Sequence, residues 1–550
     1  MALTLIQWGL ISAIILLAFY RLRHSLIRGP LHNIAGPPSA SLFTGNLKQI
    51  FDSNGWAFHR SLLEQYGSVA RVSDFLGVPR LFVSDPLALY HIVIKDQPIY
   101  DELQQFYRIT YLLFGEGLIA AEGEEHRKQR KMLNPVFSAK HLREMVPIFL
   151  DVTYELRTVI SNKIKSGVDE IDMLDWVTRT ALELIGRAGL GHSFDIMQED
   201  SIDEYGSSVK SLFPILSDFA VLAGTIPYLM KIGSPSFRRF AVEVSPSRGI
   251  QQIKEKVDVM EKTSKRIYQQ KLAALHQGDE VLAKQIGGGK DIMSLLLKEN
   301  LMASEEDRLS VSQVLGQMST LIFAAMDTTS SALSRVLYLL ATNPQAQNKL
   351  RKEVREVHAL GEFSYDTLDK LPYLEAICRE TLRLHPPVPM LQRRSTQDSV
   401  LPLSMPVRGC DGSAITEIPV PKGTYLTVSI SSLNQNKALW GDDAYEWKPE
   451  RWLKPLPAAI TDSKIPGVYS NIMTFWGGPR GCIGFKFSLL EMKVVLAVLI
   501  ESFRFELTQD IAWDMGIIAV PRPASAPADN KSPFLPMKVS LAEDEDKCMA

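Results

Sequence analysis

The segment Phe475-Trp476-Gly477-Gly478-Pro479-Arg480-Gly481-Cys482-Ile483-Gly484 sets the reading of the whole chain. It wraps four glycines and a proline around one cysteine, then runs into an apolar helical stretch from Gly484 to Ser502. Glycines let backbone N–H groups turn toward the sulfur. The helix that follows adds the positive end of its dipole, and both effects favour a thiolate. Two plainer readings exist: a buried free cysteine in a glycine turn, or a phosphate-cradling loop. The second lacks the Gly-Lys-Ser/Thr ending. The loop alone establishes a tuned thiolate and no more.

Working outward, the chain has 550 residues, 46% hydrophobic and 22% charged, with a net charge of −2. That balance excludes disordered, collagen-like and disulfide-stapled chains and gives no support to nucleic-acid binding. The other cysteines (Cys378, Cys410, Cys548) have no paired spacing, so neither a disulfide framework nor a zinc site is indicated. Residues 3–20 are uncharged and apolar. At ~1.5 Å per residue they reach ~27 Å, enough for a transmembrane anchor. Arg21, Arg23 and Arg28 follow, which places the rest of the chain in the cytosol. A basic and Pro/Gly-rich linker (21–45), one large domain (46–540) and an acidic tail (541–550) complete the organisation.

Within the domain, Val69–Asp74 and Arg80–Ser84 read as a β-hairpin turning near Gly77. Leu309–Thr342 is the longest helical candidate, and Leu371–Leu384 is an amphipathic helix stopped by His385-Pro386-Pro387. Short strands are expected at Val400–Val407 and Thr424–Ser429, and loops at Gly278 and Gly287–Gly289. The fold class is mostly α with small β-sheets.

Two further segments narrow the chemistry. Glu380 and Arg383 share a helix face at i, i+3, and Pro449-Glu450-Arg451-Trp452 follows later. Asp327 and Thr328 lie mid-way along the longest helix, where polar groups need partners. Back-bonding of Thr328 to the preceding turn is the ordinary explanation. Together with the cysteine loop, these segments resemble the cytochrome P450 family. The loop matches its haem signature at Phe475, Gly478, Arg480, Cys482 and Gly484. Glu380, Arg383 and Arg451 match its Glu-x-x-Arg and Pro-x-Arg-aromatic elements, and Asp327-Thr328 its oxygen-activation segment. Ala325 departs from that segment, standing where glycine is usual and adding a methyl beside the oxygen site.

The resemblance implies the P450 fold, with haem b as cofactor and Cys482 as axial ligand of its iron. Asp327 and Thr328 would deliver protons, while Glu380, Arg383 and Arg451 would form a buried structural triad. Propionates would be held by Arg480, by Arg130, and by Arg393 or Arg394. His126 stands where the family has tryptophan; its N–H can donate the same bond, with a strength set by protonation near neutral pH. Arg127, Lys128 and Lys131 would dock an acidic redox partner. The implied reaction inserts one oxygen atom of O₂ into a lipophilic small molecule, a terpenoid or other secondary metabolite similar to those of filamentous-fungal members. Electrons would come from an NADPH-dependent P450 reductase, with cytochrome b5 a further candidate, at the endoplasmic reticulum membrane.

Pocket segments are expected at 112–118, 212–229, 322–328, 388–391 and 516–519. Phe213–Met230 is either a membrane-dipping face or a packed helix pair. Gly115-Glu116-Gly117 is a weak dinucleotide match without a βαβ context. The rival readings are a haem-thiolate isomerase or dehydratase working without a reductase, and a non-catalytic membrane haem protein.

Overall fold

The computed structural model describes residues 29–542 apart from 199–203, 218, 220–221, 279–280, 282–283, 285 and 527–531. The anchor expected at 3–20 lies outside the described residues, as does the tail from Glu543. Among the described residues no helix is long and apolar enough to cross a membrane.

Strands β1 (Val69–Ser73) and β2 (Pro79–Val83) form the expected hairpin, with Ser73 opposite Pro79. Gly77 turns it with φ +81, a conformation glycine adopts without cost. Next come β3 (Tyr100–Asp101), β4 (Glu170–Asp172), β5 (Met390–Ser395), β6 (Ser399–Arg408), β7 (Ala414–Val420) and β8 (Tyr425–Ser429). The C-terminal strands are β9 (Phe503–Leu507), β10 (Ile511–Asp514), β11 (Val520–Pro523) and β12 (Pro536–Leu541). One sheet runs β1-β2-β8-β5-β3, with β2 and β8 parallel. A second runs β4-β12-β9, and β6-β7 and β10-β11 are two-stranded ribbons. Leu541 still pairs with Phe503, so the folded part extends one residue past the expected boundary.

The helices that frame the interior are, in chain order, α1 (Trp56–Tyr66), α2 (Gln104–Phe114), α3 (Gly123–Leu133), α4 (Ala139–Lys165) and α5 (Met173–Leu184). They continue with α6 (Arg248–Gln277), α7 (Val311–Thr342), α8 (Pro344–His358), α9 (Pro372–Leu384) and α10 (Phe485–Ser502). Helix α7 begins where Ser310 and Gln313 form a capping box, two residues inside the expected start. Helix α10 is buried from Leu489 to Ile500, because a helix apolar on every face can be stable only inside. It packs on α4 and α8, while α7 packs on α5 and α10. A core of these helices therefore surrounds the start of α10, where Cys482 lies.

The region Phe213–Met230 divides. Tyr205, Val209 and Leu212 in the helix before it are buried, whereas Leu222, Tyr228 and Leu229 are exposed. Gly117 is pressed on α7, where an added Cβ would meet the Gly316 carbonyl at 2.3 Å. Close packing at Gly117 and the left-handed turn of Gly115 (φ +77) that ends α2 account for both glycines without a nucleotide.

Candidate functional site

The cysteine loop is a tight hairpin. Val468 N–H donates to the Trp476 carbonyl at 2.8 Å, and Cys482 N–H donates to the Phe475 carbonyl at 2.9 Å. Its glycines are sterically required: a Cβ on Gly477 would meet the Pro466 carbonyl at 1.7 Å, and one on Gly478 the Val93 carbonyl at 2.2 Å. Phe475 packs between the rings of Tyr469 and Phe485.

Cys482 is enclosed by protein on every side, yet its side chain keeps accessible surface. Asp327 on α7 shares both properties, and Ala324, Ala325 and Thr328 beside it are also open. The loop and α7 thus each keep accessible surface at residues set deep in the protein. Helices α7 and α10 are tied by a 3.1 Å hydrogen bond between the hydroxyls of Thr329 and Ser488.

Burial pushes the Cys482 thiol up, and it outweighs the Gly484 N–H and Arg130, which act the other way. The loop by itself therefore does not produce the thiolate expected from its glycines and helix dipole. A cation at the sulfur would, since a coordinating thiol is deprotonated by the metal. Asp327 is pushed up to about 6 by burial, partly offset by Lys210. Thr328 Oγ1 donates to the Ala324 carbonyl at 2.7 Å, so its lone pairs remain free to accept.

A basic rim lies on the other side of the loop. Arg130 donates to the Gly481 carbonyl at 2.6 Å, and Arg480 donates to the Ala121 carbonyl at 3.0 Å and to Tyr107 Oη at 2.7 Å. Neither has a carboxylate ion-pair partner among the described residues. His126 is buried in α3, and burial with Arg480 and Arg130 lowers its pKa to about 3. The imidazole is thus neutral throughout the physiological range, and the expected dependence on protonation near neutrality does not hold. Arg393 is buried, ion-paired with Glu102 at 2.7 Å and stacked over Trp476, whereas Arg394 is exposed over Tyr425. Alternation along β5 turns Arg393 inward and Arg394 outward. Glu102 and Tyr107, which complete this rim, went unnoticed in the sequence because neither belongs to a motif.

Glu380 and Arg383 are fully buried and joined by two 2.8 Å hydrogen bonds. Arg451 Nε reaches Glu380 at 3.4 Å, Trp452 Nε1 at 2.9 Å and the Lys448 N–H at 3.1 Å. The triad is present, widened by Asp443, which pairs with Arg451 at 2.9 Å. Every oxygen of the buried carboxylate is satisfied, as a stable buried charge requires.

The family model of cytochrome P450 matches residues 35–515. The chain belongs to the cytochrome P450 family. Cytochrome P450 monooxygenase 91 of Postia placenta is 49% identical over 98% of this P450 and 100% of the relative. Ganoderic acid synthetase of Ganoderma lucidum is 44% identical over 94% of both chains, and a P450 monooxygenase of Hericium erinaceus is 37% identical over 97% of both. The chain is accordingly an enzyme of the P450 monooxygenase class with a haem-iron cofactor. Its residues fit such a group: a lone soft donor in Cys482, and two guanidiniums, Arg130 and Arg480, without carboxylate partners among the described residues for anionic substituents.

Proposed function

We propose that this P450 is a membrane-anchored, haem b-dependent monooxygenase of the endoplasmic reticulum, facing the cytosol, that oxidises a lipophilic terpenoid or other secondary metabolite. The observation that carries it is the accessible surface kept by Cys482 on the glycine loop and by Asp327 and Thr328 on α7, the helix hydrogen-bonded through Thr329 to the helix that follows the loop. Bound there, haem b supplies a redox iron at which O₂ is reduced and one oxygen atom is passed to the substrate. Cys482 would ligate its iron, Arg130, Arg393, Arg480 and neutral His126 would hold its propionates, and Phe475 would pack beside it.

Asp327, with a pKa of about 6, exchanges protons readily near neutral pH. Thr328, its own proton committed to Ala324, accepts from a water and fixes it for proton delivery. An NADPH-dependent reductase supplies the electrons, with cytochrome b5 as a further donor. Its acidic face meets α3, where Lys128 stands between Arg127 and Lys131, whose charges are shared with Glu124 and Asp307. The exposed Leu222, Tyr228, Leu229, Phe237 and Phe240 support contact with the bilayer from which a lipophilic substrate arrives.

The test is reconstitution of the full chain with haem, reductase and NADPH against fungal metabolite pools. One apolar metabolite should gain one oxygen atom in an NADPH-dependent manner. Turnover of a hydroperoxide without NADPH, and no such gain, would replace this reading with the isomerase or dehydratase class. Cys482→Ala should abolish the thiolate-type carbon monoxide spectrum; an unchanged spectrum refutes the ligand assignment.

A further inference from the structure

Arg335 lies on α7 seven residues beyond Thr328, which returns to nearly the same helix face about 10 Å further along the axis. It is only 7% exposed, and its guanidinium sits over the Trp513 ring, 3.4 Å from the centroid. Among the described residues it makes no ion pair and no hydrogen bond, and its Nε is fully enclosed. A guanidinium carries five N–H donors and stays charged at any physiological pH. Enclosing one without an anion is among the costlier arrangements in a protein, and an aromatic face offsets only part of that cost.

Ser331, one turn before Arg335, donates to the Ala519 carbonyl at 2.5 Å, and the Ala519 N–H donates to the Pro387 carbonyl at 2.8 Å. This joint gathers α7, the turn between β10 and β11, and the segment leaving α9. His385, at the end of α9, is enclosed but keeps accessible surface, and its ring has no hydrogen bond among the described residues. Burial and the neighbouring Arg335 push its pKa well down, so the ring is neutral and has one N–H to offer. Two neighbouring donors without acceptors among the described residues thus lie on the helix face of Thr328 and at the end of α9.

We propose that Arg335, with His385 beside it, holds a carboxylate at the end of the lipophilic substrate remote from oxidation, about 10 Å from the reacting position. The substrate class is then an amphipathic acid: an apolar body along α7 and one carboxylate paired in bidentate fashion with the guanidinium. The location of the reacting end rests on the monooxygenase reading above; the acid subsite rests on Arg335 and His385 alone.

Equilibrium dialysis on the haem-loaded full chain tests it with three pairs of probes: abietic, oleanolic and palmitic acids, each against its methyl ester. At least one acid should bind the wild type ten-fold or more tighter than its ester. Arg335→Met should erase that preference while Arg335→Lys keeps part of it. Removing an unpaired buried cation for an apolar side chain of similar length should also raise the Tm of the ligand-free protein. No acid preferred by the wild type, or a preference that survives Arg335→Met, overturns the proposal; a lower Tm of the variant would then assign Arg335 to structure. The carbon monoxide spectrum of the same samples separates the two readings. A wild type without the thiolate-type band but with the acid preference intact removes the monooxygenase and leaves the subsite.

Discussion

Asp327 and His126 are both perturbed mainly by burial, in opposite directions, and each yields a pH test. The carboxyl of Asp327 titrates at about 6, so its anionic form fades as pH falls through 6. Turnover should carry an acidic limb near that pH, absent in Asp327→Asn, whose rate should be about 10²-fold lower across the range. A limb unchanged in the variant assigns it to another group. For His126 the unfolded chain takes up a proton below about 6.5, while the folded protein resists until about 3. Stability therefore falls as pH drops from 6.5 toward 3, and is fully restored above 6.5. The wild type should lose more Tm between pH 7 and pH 5 than His126→Phe; equal losses would show that the ring does not titrate differently on folding.

At the scale of elements, the Glu380 network joins α9 to the Lys448–Trp452 turn and stands close to Asn434 and Ala444, whose carbonyls accept from Arg383 at 2.8 Å. Arg383→Met leaves the buried Glu380 carboxylate with Arg451, at 3.4 Å, as its remaining cation and should cost ~3–5 kcal/mol in urea unfolding. Glu380→Gln should cost a similar amount by stranding the guanidinium. A loss below ~1 kcal/mol would place the pair in solvent. Such elements were legible because their signals are local. The capping box at Ser310, Pro372 at the head of α9 and the Gly484 start of α10 mark ends to within two residues. The β4-β12-β9 sheet was not legible, because it joins Ile171, Met537 and Leu507, far apart in sequence, and such pairing leaves no local period. The site divides in the same way. Cys482, Arg480 and Glu380 stand in spaced motifs, whereas Arg335 and Glu491 are single polar residues on apolar helices. Glu491 is fully buried, and burial, offset only in part by the Thr329 hydroxyl, holds its pKa well above the usual range, a state only packing could reveal.

For the whole molecule, the exposed apolar residues between Leu222 and Phe240 adjoin α2, against which the short Ile226–Leu229 helix packs. Tyr111 and Leu112 of α2 add to the same exposed face. A chain beginning at Gly29 should therefore still sediment with phosphatidylcholine vesicles. Changing Leu229, Phe237 and Phe240 together to serine should release it; continued sedimentation would locate the contact elsewhere.

The segment after Gly29 is itself fastened down. Ile34 bridges Gly409, the Ala35 carbonyl accepts the Arg71 N–H at 3.0 Å, and Gly36 lies so close to the Arg71 carbonyl that no side chain fits. A pull on the amino end is thus delivered to the edge strand β1, the outermost of its sheet, and to the β6–β7 ribbon at Gly409. Force applied there would peel these edge pairings first.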